Sequence, residues 1–282
     1  MKATQFTASP QPTLHEDGTL TARITYTAAG ESLLLGMALP AGLARTRLAG
    51  RYFLARCGDP TPWGRAHDWA LYLRRPLFVA GWRAAPEAGA GERWLLTSPL
   101  AEDAGLAWLA ARPEEATVNL LGPLGNGFVL PPRVRQLAVA STPARVAALL
   151  PLVHEMLDRG GRVVILLQGK VGGGAALREL LPFAAEVQQE ASGPAWTHHL
   201  TQVIEWADVM AAALPGTETP ALVEAVRSAR LRVEQGFAQV LVDARLVCIT
   251  GACHACVTPL GNGRWTRACV HGPVFDLAAL GR

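Results

Sequence analysis

This chain of 282 residues has few lysines, few long apolar runs and no large excess of either charge. Each of these features excludes a class of protein. Only 17% of the residues are charged, the net charge is +3, and Lys2 and Lys170 are the only lysines. The arginines are scattered, so no basic stripe predicts nucleic-acid binding. No uncharged apolar run approaches the ~20 residues that cross a bilayer, and no signal-peptide hydrophobic region follows the N-terminus. We therefore expect a cytoplasmic protein that binds neither nucleic acid nor membrane.

The abundant residues predict a folded chain with more than one domain. Half of the residues are hydrophobic, which excludes disordered and coiled-coil proteins. A single domain usually has about 100–200 residues, so two or three domains are expected.

Short strands separated by turns make up the first part of the chain. Five runs of strand-favouring residues, bounded by Gly or Pro, predict a small antiparallel barrel. The runs lie at 21–26, 51–56, 76–79, 93–97 and 117–121, and a short helix is expected at 104–112. We expect the barrel to be a first domain over residues 1–130.

The pattern changes after Pro131 and Pro132, where strands and helices alternate. Strands are predicted at 136–140, 162–167 and 237–242, and helices at 143–158, 175–189, 200–213 and 220–230. This alternation is typical of a parallel sheet with helices on both faces. We expect an α/β domain over 131–236 and a small, turn-rich domain over 237–282.

Four of the five cysteines are crowded into the last 35 residues, at Cys248, Cys253, Cys256 and Cys269. Their C-x4-C-x2-C…C spacing is typical of plant-type [2Fe–2S] proteins. A structural zinc site is the alternative, but zinc favours paired C-x2-C knuckles and only one pair here has that spacing. The remaining cysteine, Cys57, is expected to be a small buried apolar residue.

Several motifs then resemble one family. They are Cys253-His-Ala-Cys256, the run from Arg267 to Asp276, Leu121-Gly-Pro-Leu-Gly-Asn-Gly-Phe128, Ala49-Gly-Arg-Tyr-Phe53 and Arg74-Arg-Pro-Leu77. These motifs resemble those of the electron-transfer subunit of class 1B dihydroorotate dehydrogenase, and they occur along the chain in the family's order. The resemblance implies a ferredoxin reductase-like chain with an antiparallel FAD-binding β-barrel, an α/β nucleotide-binding domain and a C-terminal [2Fe–2S] domain.

The resemblance also implies a function in pyrimidine biosynthesis. The cluster would relay electrons between the flavin of a catalytic subunit resembling dihydroorotate dehydrogenase and FAD on this chain, which would exchange hydride with NAD or another carrier. The two subunits would form a heterotetramer. Cys248, Cys253, Cys256 and Cys269 would be the metal ligands, and this chain would supply no substrate-activating acid or base.

The flavin motifs depart from the family pattern. The R-P-x-S motif falls on Arg75, Pro76, Leu77 and Phe78, so a phenyl ring replaces the hydroxyl. The family's Gly-Thr falls on Gly105 and Leu106, which removes a second hydroxyl. The resemblance implies that these six residues bind FAD, with binding weakened by the loss of two hydrogen bonds of roughly 0.5–1.5 kcal/mol each.

The nucleotide domain departs further. Residues 140–145, after its first strand, contain no glycine that would let the backbone approach a pyrophosphate. The family's Cys-Gly-Pro near the nicotinamide has no counterpart at 211–215. Both changes argue against NAD binding. Two other hypotheses therefore stay open: a scaffold or redox-sensing subunit with a cluster but no working FAD or NAD site, and a stand-alone reductase for another acceptor.

Overall fold

Six antiparallel strands close into a barrel in the first part of the computed structural model, which describes residues 11–58, 68–83, 92–100, 102–169 and 175–281. The barrel elements are β1 (Thr13–Leu14), β2 (Thr19–Ala29), β3 (Ser32–Leu39), β4 (Tyr52–Ala55), α1 (Trp69–Tyr72), β5 (Arg75–Arg83), β6 (Glu92–Pro99), α2 (Ala104–Ala110) and β7 (Thr117–Leu124). The order is β2-β3-β6-β5-β4-β7, and β7 pairs back to β2, with β1 added outside β2. The expected antiparallel barrel is confirmed.

Strand β3 was not predicted from the sequence. Seven of its eight residues are buried, because the barrel interior covers one face and neighbouring structure covers most of the other. A strand that is buried on both faces lacks the alternation of apolar and polar residues that identifies a half-buried strand.

A six-stranded sheet with helices on both faces follows the barrel. Its elements and those of the C-terminal region are β8 (Gln136–Ser141), α3 (Leu150–Asp158), β9 (Arg162–Gln168), α4 (Ala175–Leu180), β10 (Glu186–Glu190), α5 (Pro194–Trp206), β11 (Val209–Ala213), α6 (Thr219–Arg230), β12 (Ala238–Leu241), β13 (Val257–Pro259), β14 (Trp265–Arg267), α7 (Ala268–His271), β15 (Val274–Asp276) and α8 (Leu277–Leu280). The sheet order is β10-β9-β8-β11-β12-β15. The first five strands are parallel and β15 runs antiparallel to β12.

Two predicted helices are wrong over part of their length. The helix expected at 175–189 ends at Leu180, and Glu186–Glu190 is the edge strand β10. The helix expected at 200–213 ends at Trp206, and the Ala-rich segment Val209–Ala213 is the buried strand β11. Asp208 separates the two elements, because its carboxylate accepts the backbone amides of Arg135 and Gln136 at 2.8 and 3.0 Å and ties the start of β11 beside β8.

Alternate residues of β8 pack into two different hydrophobic cores. Leu137 and Val139 face the core that contains α3, whereas Ala138 and Ala140 face the core under α5 and α6. The first core also includes barrel residues such as Phe128. The barrel and the sheet therefore pack directly on each other.

The cluster region is an excursion from this sheet. Strand β12 enters it, β15 leaves it, and the backbone amide of Val242 donates to the carbonyl of Pro273 at 3.0 Å. The boundary expected between residues 236 and 237 therefore falls inside the structural unit, because β12 belongs to the sheet. No helix among the described residues is both long enough and apolar enough to cross a membrane.

The side chain of Asn126 joins two of the motifs noted in the sequence. Its amide nitrogen donates to the carbonyl of Val274 at 2.8 Å, and its oxygen accepts the amide of Val274 at 3.2 Å. A Cβ at Gly125 would lie 2.6 Å from Cδ of Pro273, so only glycine permits this approach. The 121–128 motif thus fixes the point at which the chain returns from the cysteine-rich region.

Candidate functional site

The cysteine-rich loop, residues 248–256, is tightly wound and carries three of the four motif cysteines. Three of its residues, Ile249, Gly251 and His254, have positive φ values of 57°, 77° and 58°. A Cβ at Gly251 would lie 2.8 Å from Cδ of Arg267 and 3.0 Å from Cγ2 of Val270. Gly251 therefore lets the loop pack closely against the segment that carries Cys269.

The four thiols form two contacting pairs. Cys248 and Cys253 interact through their side chains, and so do Cys256 and Cys269. The backbone amide of Cys269 donates to the sulfur of Cys256 with an N to S distance of 3.4 Å. The amides of Cys253 and Thr250 also lower the pKa of Cys248, and the amide of Gly251 acts in the same direction on Cys269. Such amide donors are typical of loops that enclose an iron–sulfur cluster.

The pKa values of Cys248 and Cys269 are shifted in opposite directions. The backbone amide of Cys253, followed by its thiol, lowers the pKa of Cys248 to about 6. Burial, followed by the hydrogen bond with Cys256, raises the pKa of Cys269 to about 12. Burial also raises the pKa of Tyr52, and the nearby sulfurs of Cys269, Cys256 and Cys248 raise it further.

The paired arrangement fits a two-iron cluster. Each iron of a [2Fe–2S] centre takes two protein ligands in addition to the two sulfides it shares. Cys248 with Cys253 could serve one iron, and Cys256 with Cys269 the other. Over the described ranges, no three His, Cys, Asp or Glu side chains converge on a site for a single ion.

A cavity of about 500 Å³ lies between the barrel and the sheet, directly before the cysteine-rich loop. Four of the six residues expected to bind FAD line it: Arg75, Pro76, Phe78 and Leu106. Residues 241–247 form another wall, and Cys248 is the next residue along the chain.

The other two expected residues do not face the cavity. Leu77 points into the barrel core, because successive residues of β5 alternate between the two faces of the strand. Gly105 acts indirectly: a Cβ there would lie 2.8 Å from both Nε and Cζ of Arg75, so glycine leaves room for the guanidinium.

Arg75 is held by the protein itself. Its Nε donates to both carboxylate oxygens of Asp103 at 2.7 and 2.8 Å, one terminal nitrogen donates to the carbonyl of Ala70 at 2.7 Å, and the other donates to the carbonyl of Leu73. Three of its five N–H donors are therefore engaged by the protein, and one N–H on each terminal nitrogen is left for an anionic ligand.

Thr97 supplies a hydroxyl next to Phe78, the residue that stands where the family motif has a serine. It pairs directly with Phe78 across strands β5 and β6, and both residues line the cavity. Its Oγ1 atom is buried and has no hydrogen-bond partner within the described part of the chain. A buried hydroxyl without a partner at a cavity wall is available to hydrogen-bond a polar ligand such as a flavin. Sequence reasoning missed Thr97, because only strand register places it opposite Phe78.

The turn after β8 differs from an open dinucleotide site. The amides of Arg145 and Val146 both donate to the carbonyl of Thr142, at 3.0 Å each. A buried 3₁₀ turn, Val146–Leu149, takes the place of the first turn of a helix. These two amides are therefore already satisfied and are not directed at a pyrophosphate, as a nucleotide-binding helix N-terminus requires.

Two side chains near this turn, those of Arg145 and Ser141, also bind other parts of the protein. Arg145 forms an ion pair with Asp243 at 2.9 Å, and both residues line the cavity. The hydroxyl of Ser141 donates to the carbonyl of Ala213 at 3.0 Å and joins the ends of β8 and β11.

Residues 243–281 match the family described as "Iron-sulfur cluster binding domain of dihydroorotate dehydrogenase B". The chain is 32% identical over 187 residues to the "Dihydroorotate dehydrogenase B (NAD(+)), electron transfer subunit" of Bacillus caldolyticus, covering 62% of this chain and 69% of the relative. It is 25% identical over 248 residues to the protein of that name from Desulforamulus reducens, covering 83% and 86%.

Solved structures show the same fold at low sequence identity. An NADH-dependent reduced ferredoxin-NADP oxidoreductase gives a TM-score of 0.67 at 17% identity, covering 92% of this chain and 89% of that one. Phthalate dioxygenase reductase gives 0.58 at 16% identity, covering 92% and 78%. The fold is therefore that of the ferredoxin reductases. Because the matched regions also include the four cysteines and two thirds of a 32% identical relative, the chain belongs to the family of dihydroorotate dehydrogenase B electron transfer subunits.

Proposed function

We propose that this chain is the electron-transfer subunit of a B-type dihydroorotate dehydrogenase, acting in pyrimidine biosynthesis. One observation carries the proposal: residues 241–247 form a wall of the cavity between barrel and sheet, and Cys248 follows them directly. The same short segment therefore serves two redox sites. Electrons pass between cofactors most readily when the protein holds them close together and excludes water.

The residues divide between these two sites. Cys248, Cys253, Cys256 and Cys269 would hold a [2Fe–2S] cluster, which supplies one-electron chemistry. Pro76, Phe78, Leu106 and Thr97 would enclose the isoalloxazine of FAD, with Arg75 and Gly105 shaping the wall behind it. This chain contributes binding, orientation and hydrogen-bond donors, and substrate activation belongs to the catalytic flavoprotein subunit with which it forms a heterotetramer.

The proposed division of the chain follows these roles. The barrel, over residues 1–130, and the sheet share the flavin cavity. The excursion 243–272 carries the cluster, and cytoplasmic location is part of the proposal.

A second function has specific observations in its favour. The pairing of Arg75 with Asp103 and the self-satisfied turn after β8 both reduce the hydrogen-bonding capacity left for dinucleotides. A scaffold or redox-sensing subunit that holds only the cluster would have these features. A stand-alone NADH reductase would require an open turn after β8.

The test is anaerobic purification of the full chain, alone and co-expressed with its catalytic subunit, followed by iron, sulfide and released-flavin assays. The proposal predicts two irons, two sulfides and one FAD per chain, with the cluster reduced by dihydroorotate only in the complex. Two irons without flavin would favour the scaffold function. Stoichiometric zinc in place of iron would overturn both.

A further inference from the structure

Tyr52 lies between the cavity wall and the cysteine group. Its ring centroid is 5.9 Å from that of Phe78, which faces the cavity, and the two rings are inclined by 52°. Tyr52 also belongs to the buried cluster that contains Cys256 and Cys269. Tyr52 does not line the flavin cavity itself.

The Tyr52 hydroxyl is an unsatisfied group. The residue is fully buried, and its oxygen has no hydrogen-bond partner among the residues that the structure describes. The side chain cannot turn toward solvent, because β4 pairs with both β5 and β7 and fixes Tyr52 opposite Phe78 and Leu124. Buried phenol groups nearly always have a partner, so this one requires a group that binds nearby.

A sulfur of the cluster is the acceptor that this position offers. The backbone amide of Cys269 already donates to the sulfur of Cys256 at 3.4 Å. A tyrosine hydroxyl would add a side-chain donor that the backbone does not supply. Reduction places additional negative charge on the cluster sulfurs, so a donor there stabilises the reduced form more than the oxidised form.

We propose that Tyr52 is a tuning residue for the cluster, donating its hydroxyl hydrogen to a sulfur on the side of Cys256 and Cys269 and thereby raising the reduction potential. This inference rests on the proposed function, since it requires the cluster. It assigns Tyr52 no contact with substrate and no proton transfer.

The test is the Tyr52→Phe variant of the full chain, with the cluster potential measured by redox titration followed by electron paramagnetic resonance. We expect the equilibrium constant for reduction to fall about tenfold, which is about 59 mV for one electron, while iron and sulfide stay at wild-type levels. Tyr26→Phe is the matched control, because Tyr26 is an exposed barrel residue, and its potential should not change. An unchanged potential in Tyr52→Phe with full iron would overturn the inference.

A second measurement applies if Tyr52→Phe fails to fold or loses iron. The chain has three tyrosines, so the Tyr26→Phe and Tyr72→Phe double variant retains Tyr52 alone. Growth with 3-fluorotyrosine then makes this single phenol a stronger donor, and we expect a higher potential than in the unlabelled double variant. Equal potentials would contradict the inference and leave the proposed function intact, whereas wild-type protein without iron and sulfide would overturn both.

Discussion

The guanidinium of Arg75 and the carboxylate of Asp103 form an ion pair in the cavity wall, in which the single Nε–H is shared between the two carboxylate oxygens at 2.7 and 2.8 Å. Asp103 also accepts the amide of Leu106 at 2.9 Å and so caps helix α2. The arginine of the flavin motif is thus retained but neutralised by the protein. We therefore expect this pairing, in addition to the loss of two hydroxyls, to weaken the binding of an anionic ligand.

Asp103→Asn should release Arg75 toward the cavity. The amide oxygen still caps α2, so we expect a stability loss of only about 1 kcal/mol, with flavin bound several-fold more tightly. Flavin fluorescence titration and urea unfolding measure the two effects. Glu102→Gln is the control, because it removes another acid from the same wall. Weaker flavin binding in Asp103→Asn would contradict the expected role of the ion pair.

The same ion pair predicts a pH dependence of stability. Burial raises the pKa of Asp103, but hydrogen bonds from Arg75 and from the amide of Leu106 lower it more, so the folded-state pKa lies below 3.8. The stabilisation is therefore present above the unfolded-state pKa and is lost as pH falls through the folded-state value. Urea unfolding from about pH 6 down to about pH 3 should show a shallower decline in Asp103→Asn than in the wild type. Parallel declines would show that the carboxylate contributes nothing.

Thr97→Val should weaken flavin binding about tenfold, because it removes one hydrogen bond and preserves side-chain shape. Thr27→Val is a matched control: Thr27 also has a buried hydroxyl without a partner among the described residues, but it lies outside the cavity wall. We expect flavin affinity to be unchanged in the control. Equal affinities in the two variants would exclude Thr97 from the flavin site.

Cys256→Ser should abolish the visible absorption of the cluster and reduce bound iron, since a ligand to one iron is lost. Cys57→Ala should keep both, because Cys57 is buried in the barrel and burial raises the pKa of its thiol to about 11. Iron and sulfide assays on both variants test whether each cysteine is a ligand of the cluster. Full iron in Cys256→Ser would remove this residue from the ligand set.

NADH should reduce the flavin of this chain much more slowly than dithionite does. The amides of Arg145 and Val146 are already bonded to Thr142, so these two donors are not available to the pyrophosphate of NADH. Anaerobic stopped-flow bleaching of the flavin absorbance measures both rates. Bleaching by NADH within the dead time would show that the nucleotide binds elsewhere on the sheet.

Features that depend on short stretches of sequence could be predicted. The cysteine spacing indicated a cluster because its first three proposed ligands lie within nine residues, from Cys248 to Cys256. The barrel and the parallel sheet followed from alternation and from the order of strands and helices. The Ala-rich β11 was predicted as helix, because alanine favours helices unless a central sheet position overrides that preference.

Features that depend on long-range pairing could not be predicted. Thr97 reaches the cavity because β5 and β6 place it opposite Phe78, and Tyr52 reaches Phe78 because β4 pairs with β5 in one register. A shift of one residue would turn each side chain to the other face of its strand. The pairing of Arg75 with Asp103 likewise joins residues on two elements that are distant in the chain.

The hydrogen bond between Val242 and Pro273 closes the cysteine-rich excursion at its base. An insert whose two ends meet can be lengthened, exchanged for another metal-binding loop or replaced by a short turn without breaking the strand pairs beneath it. The cluster region can therefore change in length or sequence while the sheet stays paired, but its redox properties remain tied to the barrel, because Tyr52 and Leu54 of β4 pack with Cys256 and Cys269.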